Sequence, residues 1–158
     1  MRAKKAPVRT IQPDSKYNSP KVAKLINYVM VDGKKSIATT LVYRTLDKVA
    51  KETGKKPVEV FEEVIDLITP EMEVRSRRVG GAAYQVPMPV KSHRGFSLAL
   101  RWLVQEANKL PNKQYRSFEE KLAAEMLLTL NNEGGALARK ETAHKAAEAN
   151  KAFSHFRW

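Results

Sequence analysis

The 158-residue chain contains no cysteine, so neither a disulfide framework nor a cysteine-ligated zinc is open to it, as expected of a protein in a reducing cytosol. No window approaches the roughly 18 apolar residues of a membrane-spanning helix. The opening MRAKKAPVRTIQPDS is basic and lacks the apolar run of a secretory signal. These absences point to a soluble, intracellular protein with no membrane partner. Catalytic signatures are missing too: there is no G-x-x-x-x-G-K-[ST] phosphate loop, no G-x-G-x-x-G and no serine in a nucleophile elbow. Only three histidines occur. His93 lies between Lys91 and Arg94, where positive neighbours oppose its protonation, and neither His144 nor His155 has the i, i+4 partner of a helical zinc site. No enzyme activity, cofactor or metal is expected.

Negative charge is also scarce. There are 17 acidic residues against 29 basic ones, a formal net charge of +12, more than solubility requires, which suggests a polyanionic partner. The imbalance is segregated. Residues 58–73 carry Glu59, Glu62, Glu63, Asp66, Glu71 and Glu73 and no base, whereas residues 74–101 carry Arg75, Arg77, Arg78, Lys91, Arg94 and Arg101 and no acid. Residues 1–18 hold Arg2, Lys4, Lys5, Arg9 and Lys16 against Asp14 alone, with Pro7 and Pro13 discouraging a helix, and read as a disordered basic arm. Residues 19–158 then form a single domain, since no repeat and no long linker divides them.

Apolar spacings of three and four residues recur in five blocks with start and stop signals, followed by an alanine-rich sixth segment, so the protein is mainly α with about six helices. Ser19 and Pro20 open the first helix, Val22, Leu25, Ile26 and Val29 line it, and Gly33 ends it. The second carries Ile37, Leu41, Val42, Leu46 and Val49 up to Gly54, and the third runs from Pro57 to the Thr69-Pro70 stop. Ser92 is a candidate cap for the fourth, and Ser117 with Glu120 forms a capping box for the fifth. The sixth, ALARKETAHKAAEANKAF, has a shallow apolar face, suited to lying on something else and too shallow for a membrane surface.

Between the third and fourth helices the period changes from 3.6 to 2, at RSRRVGGAAYQVP. Gly80-Gly81 suits a type I′ turn and makes residues 72–90 a hairpin, with Arg77 opposite Tyr84 and Arg75 opposite Val86. Glu73, Arg75, Arg77 and Val79 share one face and Arg78 the other. Pro87 and Pro89 bar a central strand, so the ribbon reads as a projecting arm. Exposed lysines and arginines usually serve only solvation. Three arginines crowded together with no acid nearby instead suggest phosphates or stacked bases. An architectural DNA-binding protein is the alternative, but its arm commonly ends in an apolar wedge. Here the tip is Gly80, Gly81, Ala82 and Ala83.

The segments YNSPKVAKLINYVMVDGKKSIA, EVRSRRVGGAAYQVP, LALRWLV and ETAHKAAEANKAFSHFRW, in that order, closely resemble the bacterial-type small-subunit ribosomal protein seven family from about residue 14 to the end. The resemblance implies a helical domain with a protruding hairpin. It implies a primary binder of small-subunit ribosomal RNA that nucleates assembly of the subunit head, at the subunit interface near the exit-site transfer RNA and the messenger path, beside ribosomal proteins nine and eleven. By position, it assigns RNA contacts to the basic arm (Arg2, Lys4, Lys5, Arg9) and to the Asp32-Gly33-Lys34-Lys35-Ser36 turn. Arg75, Arg77 and Arg78 would line the ribbon, Gly80 and Gly81 form its tip, Tyr84 stiffen it or stack on a base, and Arg94 flank it. The implied location is the small subunit of a cytoplasmic ribosome, and the residues do not separate a bacterial from an organellar source. MRAKKAPVRTIQ and KSHRGFS depart from the family's usual arginine-rich start and its entry to the fourth helix.

Overall fold

A computed structural model describes residues 6 and 9–157. It contains six α-helices, one two-stranded hairpin between the third and fourth, and a short 3-10 segment after the sixth. The helices are α1 (Pro20–Val29), α2 (Lys35–Thr53), α3 (Pro57–Ile68), α4 (Ser92–Lys109), α5 (Phe118–Leu130) and α6 (Gly135–Ala149). The strands are β1 (Met72–Val79) and β2 (Ala82–Pro89), and the 3-10 segment is Lys151–Phe156.

Start signals act largely as their residues dictate. Ser19 Oγ accepts from the Val22 N–H at 3.5 Å and Pro20 fills the first turn of α1. Ser117 and Glu120 form a full capping box on α5. Ser92, however, is the first residue of α4 and not its cap: Lys91 holds that position and makes no side-chain cap bond. α1 stops before Gly33, at the Met30 cap, which turns to the extended conformation (ψ 130°), and Asp32 (φ 53°) and Gly33 (φ 73°) then adopt the left-handed conformation and form the turn into α2.

The core forms where the apolar faces of α1 to α5 converge. Leu25, Leu46, Phe61, Ile68, Leu100, Leu103, Leu122 and Met126 are fully buried there. α2 packs between α1, α3 and α5, and α4 lies against α5 and α6. α6 buries only Ala136 and Ala147, and its small side chains let it lie across α4 and β1. No helix among the described residues is long and apolar enough to cross a membrane.

Two differences from the sequence reading affect the functional surface. First, the packed chain begins at Asp14, inside the segment assigned to the arm. Asp14 Oδ2 accepts from the backbone N–H groups of Lys16 and Tyr17 at 3.1 and 3.0 Å, and the Tyr43 hydroxyl donates to Asp14 Oδ1 at 2.5 Å. Lys16 Nζ and the Tyr17 hydroxyl both reach Asp47 on α2, at 2.7 and 2.8 Å. The Lys16 ammonium, more than the Tyr17 hydroxyl, holds the Asp47 carboxyl below its ordinary range. Second, the ribbon is braced. The 3-10 segment packs on β2, α6 packs on β1, and Val86 is fully buried.

Candidate nucleic-acid interface

At the start of α2, Lys34 and Lys35 follow the Asp32-Gly33 turn. Lys34 occupies the cap position with no side-chain hydrogen bond, and the first turn contains no acid. Two exposed cations therefore sit at the end of a helix whose dipole and open N–H groups already favour an anion. The arrangement sets like charge against like. A phosphate placed there would relieve it.

The N-terminal segment links this turn to a second basic region. Gln12, Pro13, Asp14 and Ser15 line one groove together with Lys35 and Thr39 of α2. Arg9 and Ile11 line another with Lys21 and Lys24 of α1 and His93 and Phe96 of α4. Lys21 is paired to Glu62 at 2.9 Å, and Lys24 Nζ lies over the Tyr28 ring. Lys21 and Lys24 are bases that the sequence reading did not single out, because their proximity to Arg9 depends on how the chain before α1 folds back. Arg2, Lys4 and Lys5 lie outside the described residues.

The hairpin register matches the one counted from the turn: Arg77 pairs with Tyr84, Arg75 with Val86 and Glu73 with Met88. Gly80 (φ 57°) and Gly81 (φ 90°) make the tip, where a side chain would be strained although space is open. The premise that no acid lies near the arginines needs correction. Glu73 is buried, and its Oε1 accepts from Arg75 Nε at 2.6 Å and from Arg94 Nε at 2.8 Å, while its Oε2 accepts from Arg94 Nε at 2.7 Å. Splitting the charge into an acidic block ending at residue 73 and a basic block starting at 74 concealed this pair. The structure thus joins Arg75 to Arg94, two bases 19 positions apart in sequence, through one carboxylate. Arg77 and Arg78 make no side-chain hydrogen bond or ion pair with the described residues.

Tyr84 is engaged inside the molecule. Its ring centroid lies 5.3 Å from that of Phe153 and 5.1 Å from that of Phe156, so the ring fastens the middle of β2 to the 3-10 segment. Of the two roles expected for it, this geometry serves stiffening. Arg157 adds to the brace by donating from Nε to the Pro87 carbonyl at 3.2 Å. Among the histidines, His144 Nε2 accepts from the Glu71 backbone N–H at 3.1 Å, which ties α6 to the entry of β1. No group of three or more His, Asp or Glu side chains among the described residues is arranged to hold a metal ion.

A helical body with a braced ribbon, its bases gathered along the N-terminal segment, the α1–α2 turn and the ribbon, is the architecture of a basic nucleic-acid-binding protein. The chain matches the family described as Ribosomal protein S7p/S5e over residues 1–151, and it belongs to that family. It is 53% identical over 152 residues, 96% of each chain, to the small ribosomal subunit protein uS7 of Caldanaerobacter subterraneus subsp. tengcongensis. To the uS7 of Caldicellulosiruptor saccharolyticus it is 52% identical over 157 residues, 98% of this chain and 99% of the other. To that of Helicobacter hepaticus it is 47% identical over the full length of both. This is a family of ribosomal proteins and not of enzymes, and the architectural-DNA reading finds no support in it.

Proposed function

We propose that this chain is a structural protein of the small ribosomal subunit that binds the subunit's ribosomal RNA. The reading is carried by end-to-end similarity to uS7 proteins on a fold whose unpartnered bases sit where phosphates would be held. The relatives are bacterial, which supports a location in cytoplasmic ribosomes. Lys34 and Lys35, with the α2 N-terminus, take one phosphate cluster. Arg9 with Lys24 takes a second, and Arg2, Lys4 and Lys5 of the basic arm are further RNA contacts. The ribbon presents Arg75, Arg77 and Arg78, with Arg94 at its base. In the subunit the chain nucleates the head, with exit-site transfer RNA and the messenger near the ribbon and ribosomal proteins nine and eleven as neighbours. The body is the helical domain and residues 1–18 its arm, with the last part of that arm pinned to α2.

The test is binding to a folded RNA fragment of the small-subunit head and to duplex DNA at matched salt. The RNA fragment should bind more tightly. Changing both Lys34 and Lys35 to alanine should weaken RNA binding and reduce the salt dependence, by roughly 0.7 to 0.9 in slope for each phosphate no longer neutralised. Equal affinity for the two nucleic acids would overturn the reading. An unchanged slope would remove these lysines from the interface.

A further inference from the structure

We infer that Glu73 is a positioning residue for RNA discrimination: it gives up net positive charge at the ribbon base in order to hold Arg75 and Arg94 in one fixed orientation. The inference rests on the RNA-binding reading above.

Bulk attraction to phosphate would be served best by leaving every base at the ribbon unpaired. Glu73 does the opposite. Its side chain is 11% exposed, whereas those of Arg75 and Arg94 are 49% and 47% exposed, so the carboxylate lies inward while both arginine side chains stay about half open to solvent. Both arginines meet the same Oε1, and Arg94 also reaches Oε2. Arg75 lies two residues along the same strand face as Glu73, and Arg94 lies in the first turn of α4, so the carboxylate ties β1 to that helix. A guanidinium is a planar fork with five donors, and fixing one edge sets the direction of the rest. Two such forks sharing one carboxylate present their outer donors in a set relation. That geometry fits a particular arrangement of phosphate oxygens or base edges and not any nearby phosphate. The cluster of three carries a charge of +1 where the arginines alone would carry +2, so non-specific attraction is reduced while pre-organisation is gained.

The competing account treats Glu73 as one negative charge among many. Two variants separate them. Glu73→Gln keeps the shape and one acceptor oxygen but releases charge. Glu73→Asp keeps the charge, but with one methylene fewer it draws the carboxylate back from both guanidinium groups. Glu71→Gln serves as the charge control, since the Glu71 side chain has no part in the clamp. Affinity is measured for a folded head-domain ribosomal-RNA fragment and for an unrelated duplex RNA across a salt series, after thermal melts establish that each variant folds.

The parent should prefer the folded fragment. Glu73→Gln should tighten binding to the unrelated duplex, steepen its salt dependence by roughly 0.7 to 0.9 in slope, and cut the preference by at least about fivefold. Glu73→Asp should lose a similar share of the preference without steepening the slope. Glu71→Gln should move both affinities together and leave the preference intact. Parent-like discrimination in both Glu73 variants, or a Glu71→Gln variant indistinguishable from Glu73→Gln, overturns the positioning role and leaves RNA binding standing. A parent with no preference for the folded fragment overturns the RNA-binding reading and the positioning role with it.

Discussion

Glu125 stands where an apolar residue would be expected. It lies on the inward face of α5 beside Leu122 and Met126, 1% exposed, and its Oε1 accepts the Ala136 N–H at 2.8 Å. α6 begins at Gly134 and Gly135, which offer no side chain to cap it, so a carboxylate from the neighbouring helix takes that place. A Cβ at Gly135 would lie 2.9 Å from Glu106 Oε2 and 3.0 Å from its Cγ, so a side chain there would have to displace Glu106. Burial pushes the Glu125 carboxyl above its usual range; the Ala136 N–H opposes this, nearby Glu106 adds to it, and the Gly135 N–H opposes it again. A carboxyl raised in the folded state binds protons more readily there than in the unfolded chain, so stability falls as pH rises from the ordinary carboxylate range through the raised value. Glu125→Gln keeps an acceptor oxygen and removes the buried charge. It should melt higher than the parent near neutral pH, with the advantage shrinking as pH falls through the raised value toward the ordinary carboxylate range, below which the parent is protonated in both states. Glu125→Leu, which removes the acceptor, should cost about 1–3 kcal/mol. Melting curves across pH decide the matter, and a Gln variant less stable than the parent at neutral pH would show that the charge at the helix N-terminus outweighs its burial.

The ribbon shows how an element is built in two parts. Its base and middle are packed: Val86 is fully buried, Tyr84 is seated against Phe153 and Phe156, and α6 lies along β1. The tip, from Arg78 to Ala83, is almost wholly exposed. Replacing residues 78–83 with a two-residue turn should therefore leave the thermal midpoint nearly unchanged. Val86→Ala should cost on the order of 2 kcal/mol, and Tyr84→Ala a similar amount by freeing the 3-10 segment. Chemical denaturation measures both, and a tip deletion as damaging as Val86→Ala would contradict the division. The helices, the hairpin and its register could all be read from the sequence, because apolar period, Pro-Gly punctuation and the Gly80-Gly81 pair are local signals. The brace could not. It joins residues about 70 positions apart, and Phe153 and Phe156 sit in a stretch with no periodicity to mark a buried face. For the same reason the pinning of residues 14–17 to Tyr43 and Asp47 was hidden, whereas the basic character of the site was plain from composition alone.

At the scale of the molecule, a charge of +12 is distributed so that Arg9 of the N-terminal segment shares a groove with Lys21 and Lys24 of α1, and Lys35 of α2 lines a second groove with Gln12–Ser15, while Glu62 of α3 pairs with Lys21. Composition told of a polyanion, but only the folded chain shows that Lys35 lines one groove with the Gln12–Ser15 stretch and that Arg9 lines another with His93. The central claim is that this assembly of surfaces binds ribosomal RNA as part of the small subunit. The most direct measurement is reconstitution: small subunits are assembled from ribosomal RNA and a protein set lacking only the S7p/S5e family member, and this chain is added back. The account predicts that the chain sediments with the particle at about one copy each and shields RNA of the head from hydroxyl-radical cleavage. A chain that stays unbound while the other proteins assemble, or that binds without shielding the head, would contradict it.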